Sequence, residues 1–217
     1  MEMTATDIGL SSLRWFLGLL IGSSVGIIFG LVSYYLKSAN KVVNILFNFF
    51  RAIPIIGLMP VIQMSLGVSE IGKIGLIAWG VMFPVWLSVQ SAITKRLPEL
   101  ELVLKANNLS KRDVLLVYII PKVTGGIMLG IQVSIGIGWL CVVAAELIGT
   151  FSQGFWAGGL GYKLYIAHQN NNWYMVLTSL GLFGLLGTIS AALWKKFVSL
   201  FFSAKRGFNP LLWLEQG

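Results

Sequence analysis

The stretch TGGIMLGIQVSIGIGWLCVVAAELI, residues 124–148, decides the fold. It carries one charged side chain, Glu146, and no proline. A helix needs about 20 apolar residues to cross the hydrocarbon layer of a membrane, and this run is long enough. Four more runs of the same kind lie at 13–35, 44–66, 71–93 and 173–194, the last with an apolar continuation to Phe202. Composition agrees. Only 11% of the residues are charged, against about 25% in a soluble domain, and the mean hydropathy is +0.82. A water-soluble globule is thereby excluded. The reading is an all-α integral membrane protein, one transmembrane domain over 1–217, with five transmembrane helices. Residues 1–12 include Glu2 and Asp7 and lack the basic start and apolar run of a cleavable signal.

Net charge gives the orientation. The chain has 16 Lys and Arg against 8 Asp and Glu, a balance of +8. Nucleic-acid binders are basic and polar, whereas this chain is basic and apolar, so no nucleic acid is expected as a partner. In a membrane protein, Lys and Arg concentrate in cytoplasmic connections. Segment 94–122 is the richest, with Lys95, Arg96, Lys105, Lys111, Arg112 and Lys122, and is placed inside. Alternation of spans then puts Lys37, Lys41, Lys195, Lys196, Lys205 and Arg206 inside too, and leaves only Arg14, Lys73 and Lys163 outside. The amino terminus is expected outside and the carboxyl terminus inside.

Small residues recur every fourth position in three spans: Gly18, Gly22, Gly26 and Gly30; Gly126, Gly130, Ser134 and Gly138; and Gly184, Thr188 and Ala192. Helices in lipid associate by close backbone approach over such stripes. They serve either packing within one subunit or contact with a second copy. Pro54 and Pro60 interrupt the second span and Pro84 the third. Proline removes a helical hydrogen bond and kinks or breaks the helix, which membranes tolerate where protein or water meets the freed groups. Arg14 and Lys73 stand at the outer ends of their spans, within reach of water. Arg51 and Glu146 lie inside theirs, where a charge must face protein or water. Counted along the helices, the two sit at different depths, so a direct pair is not expected. Arg51, Pro54 and Gln63 of the second span, with Trp139 and Glu146 of the fourth, are the candidate translocation path.

No chemistry of the chain's own is visible. Cys141 is the only cysteine, so there is no internal disulfide, and no metal site is expected. His168 stands alone in a long outer loop, 149–172, rich in glycine and aromatics. There is no phosphate-cradling Gly-Lys-Ser/Thr loop and no chain of buried acids of the kind proton-driven carriers use.

One segment remains: LPELELVLKANNLSKRDVLLVYIIP, residues 97–121. Two short helical stretches flank Asn108-Leu109-Ser110. Asn tolerates the left-handed conformation that ends a helix, and Ser110 can cap the next one. The resulting helix–turn–helix would present Lys105, Ala106, Asn107, Asn108, Leu109, Ser110, Lys111 and Arg112 to a soluble partner. Here the chain resembles the membrane subunit of bacterial ABC importers of the nitrate/sulfonate/taurine/bicarbonate type. Their cytoplasmic EAA loop reads about E-A-A-x-x-x-G, with L-P some twelve residues on. Counting back from Ile120-Pro121 aligns the Glu with Leu102, the two Ala with Val103 and Leu104, and the Gly with Asn108; the spacing is kept and the letters differ. Supporting matches are RAIP at 51–54, FPVWLS at 83–88, GWLCVVAAE at 138–146 and GLGY at 159–162.

The resemblance implies a type I ABC importer (MetI-like) fold in the bacterial cytoplasmic membrane. It implies a second permease copy, usually making a homodimer, and an external substrate-binding protein at the outer mouth. Two ATPase subunits would hold the ATP and magnesium and receive the helix around Lys105 to Arg112, so this chain would bind no cofactor. The family commonly has one more span ahead of the region matching Leu13. A channel or carrier working without ATP is the competing reading.

Overall fold

The computed structural model describes residues 4–35, 40–94, 120–147 and 158–203. These form helices α1 (Ala5–Tyr35), α2 (Asn40–Ala52), α3 (Ile55–Leu66), α4 (Glu70–Thr94), α5 (Ile120–Leu147), α6 (Leu160–Gln169) and α7 (Trp173–Ser203). Four of them, α1, α4, α5 and α7, are long and apolar enough to cross a membrane; α2 and α3 pass the same test together as a bent pair, a broken span or a re-entrant loop. Helix α1 begins with half a capping box: the Thr4 backbone N–H and hydroxyl both donate to the Asp7 carboxylate, at 3.0 and 2.6 Å. The expected segment 97–121, including Lys105 to Arg112, lies up to residue 119 outside the described residues.

Helix α4 is the centre, and the glycine stripes explain why. A Cβ on Gly22 would sit 2.5 Å from the Ala78 carbonyl oxygen, and one on Gly26 equally close to that of Met82. One on Gly30 would lie 2.6 Å from Val89. On a neighbouring face of α4, Gly126 meets Ala92 and Ser88, Gly130 meets the Val85 backbone, and the Ser134 hydroxyl donates to the Val81 carbonyl at 3.0 Å. Two stripes thus press α1 and α5 side by side onto α4 within one subunit, close enough for dispersion to hold them where no hydrophobic drive exists. Pairing of Gly30 with Val89 and of Arg14 with Glu70 makes α1 parallel to α4. Pairing of Gly126 with Ala92 makes α5 antiparallel. The third stripe differs: nothing approaches Gly184 within 4 Å.

Two departures from the sequence reading matter. Residues 160–169 of the supposed outer loop are a helix, α6, and the second span is bent by 90° between α2 and α3. Helix α7 runs antiparallel to α5, with the Trp139 indole N–H donating to the Ser190 hydroxyl and that of Trp194 to the Met128 carbonyl, both at 3.3 Å. Pro84 is carried inside α4 without ending it.

Candidate functional site

At the end of the bundle where α1 and α4 begin and α5 finishes, six charged side chains gather. Arg14 is 3% exposed, Glu146 1% and Lys73 0%. The expectation that Arg14 and Lys73 reach water is therefore corrected: sequence locates a residue along its own helix and says nothing of the neighbours that close over it. Arg14 grips Glu70 with a two-pronged contact, Nε and Nη2 each 2.6 Å from a carboxylate oxygen. Its Nη1 donates to Glu146 at 2.8 Å and to the Gly158 carbonyl at 2.6 Å. Lys73 adds a bond to Glu70 at 3.1 Å, and Lys163 stands 3.7 Å from Asp7. Three acids and three bases balance. In an apolar medium such balance, with hydrogen bonds on the remaining lone pairs, is what makes burial tolerable.

The same cluster docks α6. A helix begins with unpaired N–H groups, and Gly159 at its cap has no side chain to serve them. Instead the N–H of Gly159 donates to Asp7 at 3.2 Å, that of Leu160 to the Ser11 hydroxyl at 2.9 Å, and that of Gly161 to Glu146 at 2.7 Å. The Ser11 hydroxyl in turn donates a hydrogen bond to Glu146 at 2.7 Å. Negative charge at a helix start is favourable in itself. Gly159 has φ +112 and faces the Glu146 carboxylate where a Cβ would stand, so only glycine fits. The GLGY run at 159–162 and Glu146 are thus two halves of one joint.

The second site is the elbow between α2 and α3. Ile53 and Pro54 interrupt the helix, Pro54 taking extended backbone (φ −62, ψ 128) ahead of α3. Ile55 touches the position of Gly80, and the Phe50 ring stands 5.8 Å from that of Trp79, so the elbow lies level with these residues of α4. That level is about 14 Å from the Glu70 end of a helix about 37 Å long at 1.5 Å per residue. Aromatic rings back it: Phe47 against Phe29 at 5.0 Å and Trp86 at 4.6 Å, and Trp79 against Phe83 at 5.4 Å. Asn44 of α2 is held by the Gln90 side chain. Arg51, Ala52, Pro54 and Gly57 are exposed along the elbow.

Of the sequence-level path residues, the structure brings Arg51 and Pro54 together at the elbow, with half-buried Gln63 two turns on in α3. Glu146 is instead among the ion cluster. Trp139, 5% exposed, stacks on Trp15 with ring centres 5.2 Å apart. Ser11 and Glu70 were not singled out from the sequence, and Asp7, Arg14 and Lys73 were not joined to Glu146 there. The usable signal was Arg14 and Lys73, each a cation close to an acid at the start of an apolar run. His168, at the end of α6, is exposed.

In fold, the chain is similar to solved structures of ABC transporters. The MetNI methionine ABC transporter in an inward-facing conformation aligns with TM-score 0.69 over 91% of this chain and 99% of that one, at 17% identity. An amino acid ABC transporter aligns with TM-score 0.64 over 90% and 91%, at 14% identity. In sequence, it is 30% identical to a putative ABC transporter permease protein of Methanocaldococcus jannaschii over 79% of this chain and 62% of that one. It is 28% identical to a putative aliphatic sulfonates transport permease of Bacillus subtilis over 83% and 63%. A bicarbonate transport system permease of Synechococcus elongatus is 24% identical over 70% and 51%. The chain spans about three-fifths of the length of the first two of these relatives. Residues 22–201, most of the bundle just described, match one family model throughout, and the chain belongs to that family, the binding-protein-dependent transport system inner membrane components.

Proposed function

We propose that this protein is the membrane permease subunit of an ATP-driven importer of a small anion, of the nitrate, sulfonate or bicarbonate type, in a bacterial cytoplasmic membrane. The observation that carries the reading is the elbow. A broken backbone and an exposed guanidinium well inside a span cannot face lipid, so this side of the subunit lines water, between two copies of the chain. Broken helices of this kind recur at solute sites in transporters. The relatives named for sulfonates and bicarbonate support an anion as cargo.

In this reading Arg51, Pro54 and Gln63 border the path. Trp139 and Glu146 act from behind it, one as packing and the other as the joint holding α6. The basic segment 95–119 faces the cytoplasm, which puts the start of α1 outside. Two ATPase subunits, carrying ATP and magnesium, dock on Lys105 to Arg112, and an external binding protein delivers the solute. The chain hydrolyses no ATP itself.

Vesicles holding the chain, its ATPase and its binding protein test this. Uptake of ethanesulfonate or bicarbonate is expected only with ATP. Replacing Asn108 and Leu109 by Glu should leave hydrolysis running while uptake falls at least tenfold. Uptake by the chain alone, without ATP, would overturn the reading in favour of a channel or carrier.

A further inference from the structure

Helix α2 has a divided surface. Over residues 44–52 its polar side chains are Asn44, Asn48 and Arg51. They stand four and three residues apart, and residues so spaced are neighbours on one edge of a helix, with Cβ atoms about 5–6 Å apart. A second edge carries Phe47 and Phe50, whose rings seat on Trp86 and Trp79 of α4 at 4.6 and 5.8 Å. The exposed apolar side chains Ile45, Leu46 and Phe49 fall on the remaining faces.

The polar edge is answered at one end only. Asn44 accepts a hydrogen bond from the Gln90 side chain of α4, one of the ways an amide is accommodated between helices in lipid. Asn48 and Arg51 are both exposed, and no described residue hydrogen-bonds or ion-pairs with either side chain. Their level follows from their neighbours: the edge runs along α4 from Gln90 to Trp79, about 30 and 14 Å from the Glu70 end. At that depth an amide and a guanidinium without protein partners must meet water or a polar ligand. The two ask for one chemistry. The guanidinium is a charged fork of donors, the amide offers two more N–H groups without charge, and an oxyanion answers both.

We propose that Asn48 and Arg51 form one binding station for the transported oxyanion, with the guanidinium meeting its charge and the Asn48 amide N–H donating to one of its oxygens on the side toward Asn44 and Gln90. The inference rests on the permease reading above and deepens it, naming the side chain beside Arg51 that the solute meets on its way to the Thr94 end of α4. A neutral amide holds an anion more weakly than a second cation would, so it orients the solute without trapping it.

The test uses the assembled transporter in vesicles, with its ATPase and saturating binding protein, and with ethanesulfonate and bicarbonate as separate probes. Asn48→Leu keeps the size of the side chain and removes its hydrogen bonds; Asn48→Asp keeps the shape and turns the donor into a negative charge. For the probe that the wild type carries, maximal uptake should fall about tenfold in the first variant, as expected for losing one hydrogen bond to a charged group, and at least as far in the second. The unfolding midpoint should stay at the wild-type value in both. Because the two residues share one ion, adding Arg51→Gln to Asn48→Leu should cost less than the product of the two single losses. Uptake equal to wild type in Asn48→Leu would overturn the proposal, and so would losses that simply multiply in the double variant, which would make the two residues independent. A lowered midpoint in Asn48→Leu with normal uptake in Asn48→Asp would overturn it as well, assigning Asn48 to packing. Wild-type vesicles that carry neither anion with ATP would overturn the permease reading itself, an outcome plainly different from a defect seen only in the variants.

Discussion

A guanidinium offers five N–H donors in a planar fork, and Arg14 spends them on Glu70, Glu146 and the Gly158 carbonyl. Breaking such a buried set from one side leaves a charge with no answer. Arg14→Met should therefore destabilise the chain by about 3 kcal/mol, read from its unfolding midpoint in detergent. Adding Glu146→Gln to that variant should recover at least a third of the loss, because the stranded carboxylate is gone; a double variant as weak as the sum of the two singles would show no coupling. From sequence, Glu146 was recognisable as a charge inside a span, and its distance in depth from Arg51 was correct to discourage a pair. Its true partner was not recognisable. Arg14 lies 132 residues earlier, and a hydropathy run records no contact between helices.

At the scale of the element, the stripes make a sharp contrast. Gly26 faces the Met82 carbonyl oxygen at 2.5 Å and Val85 at 2.9 Å from a built Cβ, so Gly26→Leu must push α1 off α4. A loss of about 2–3 kcal/mol is expected. Gly184, with open space around it, should accept Leu within about 0.5 kcal/mol in the single subunit. Thermal unfolding of both variants decides; equal losses would refute the assignment. All three stripes looked alike in the sequence, since periodicity marks a face and does not say what covers it. Four spans, the broken pair between the first two of them and the break at Pro54 were legible, because length, apolarity and proline are local properties. The 90° turn was not, as its angle is set by Phe47 and Phe50 seating on α4. Helix α6 was hidden as well, since its start is stabilised by acids from α1 and α5 and not by a cap of its own.

For the whole molecule, the described helices put the start of α1 and the end of α7 at opposite ends of the bundle, as an odd number of crossings requires. With basic segments inside, an epitope at the amino terminus should be reached by antibody on intact spheroplasts, and one at the carboxyl terminus only after lysis. The reverse pattern would invert the proposed sidedness and carry the ATPase contact out of the cytoplasm with it. The ion cluster has a consequence for biosynthesis. Asp7, Ser11 and Arg14 leave the ribosome well before their contacts at Glu146, Gly159 and Leu160, which lie 132 to 152 residues further along the chain. Until then Glu70 is the one acid partner of Arg14, among the described residues, that has been made, so α1 waits for its second. A chain ending before residue 146 would leave Arg14 Nη1 and the Ser11 hydroxyl without the carboxylate that both reach here.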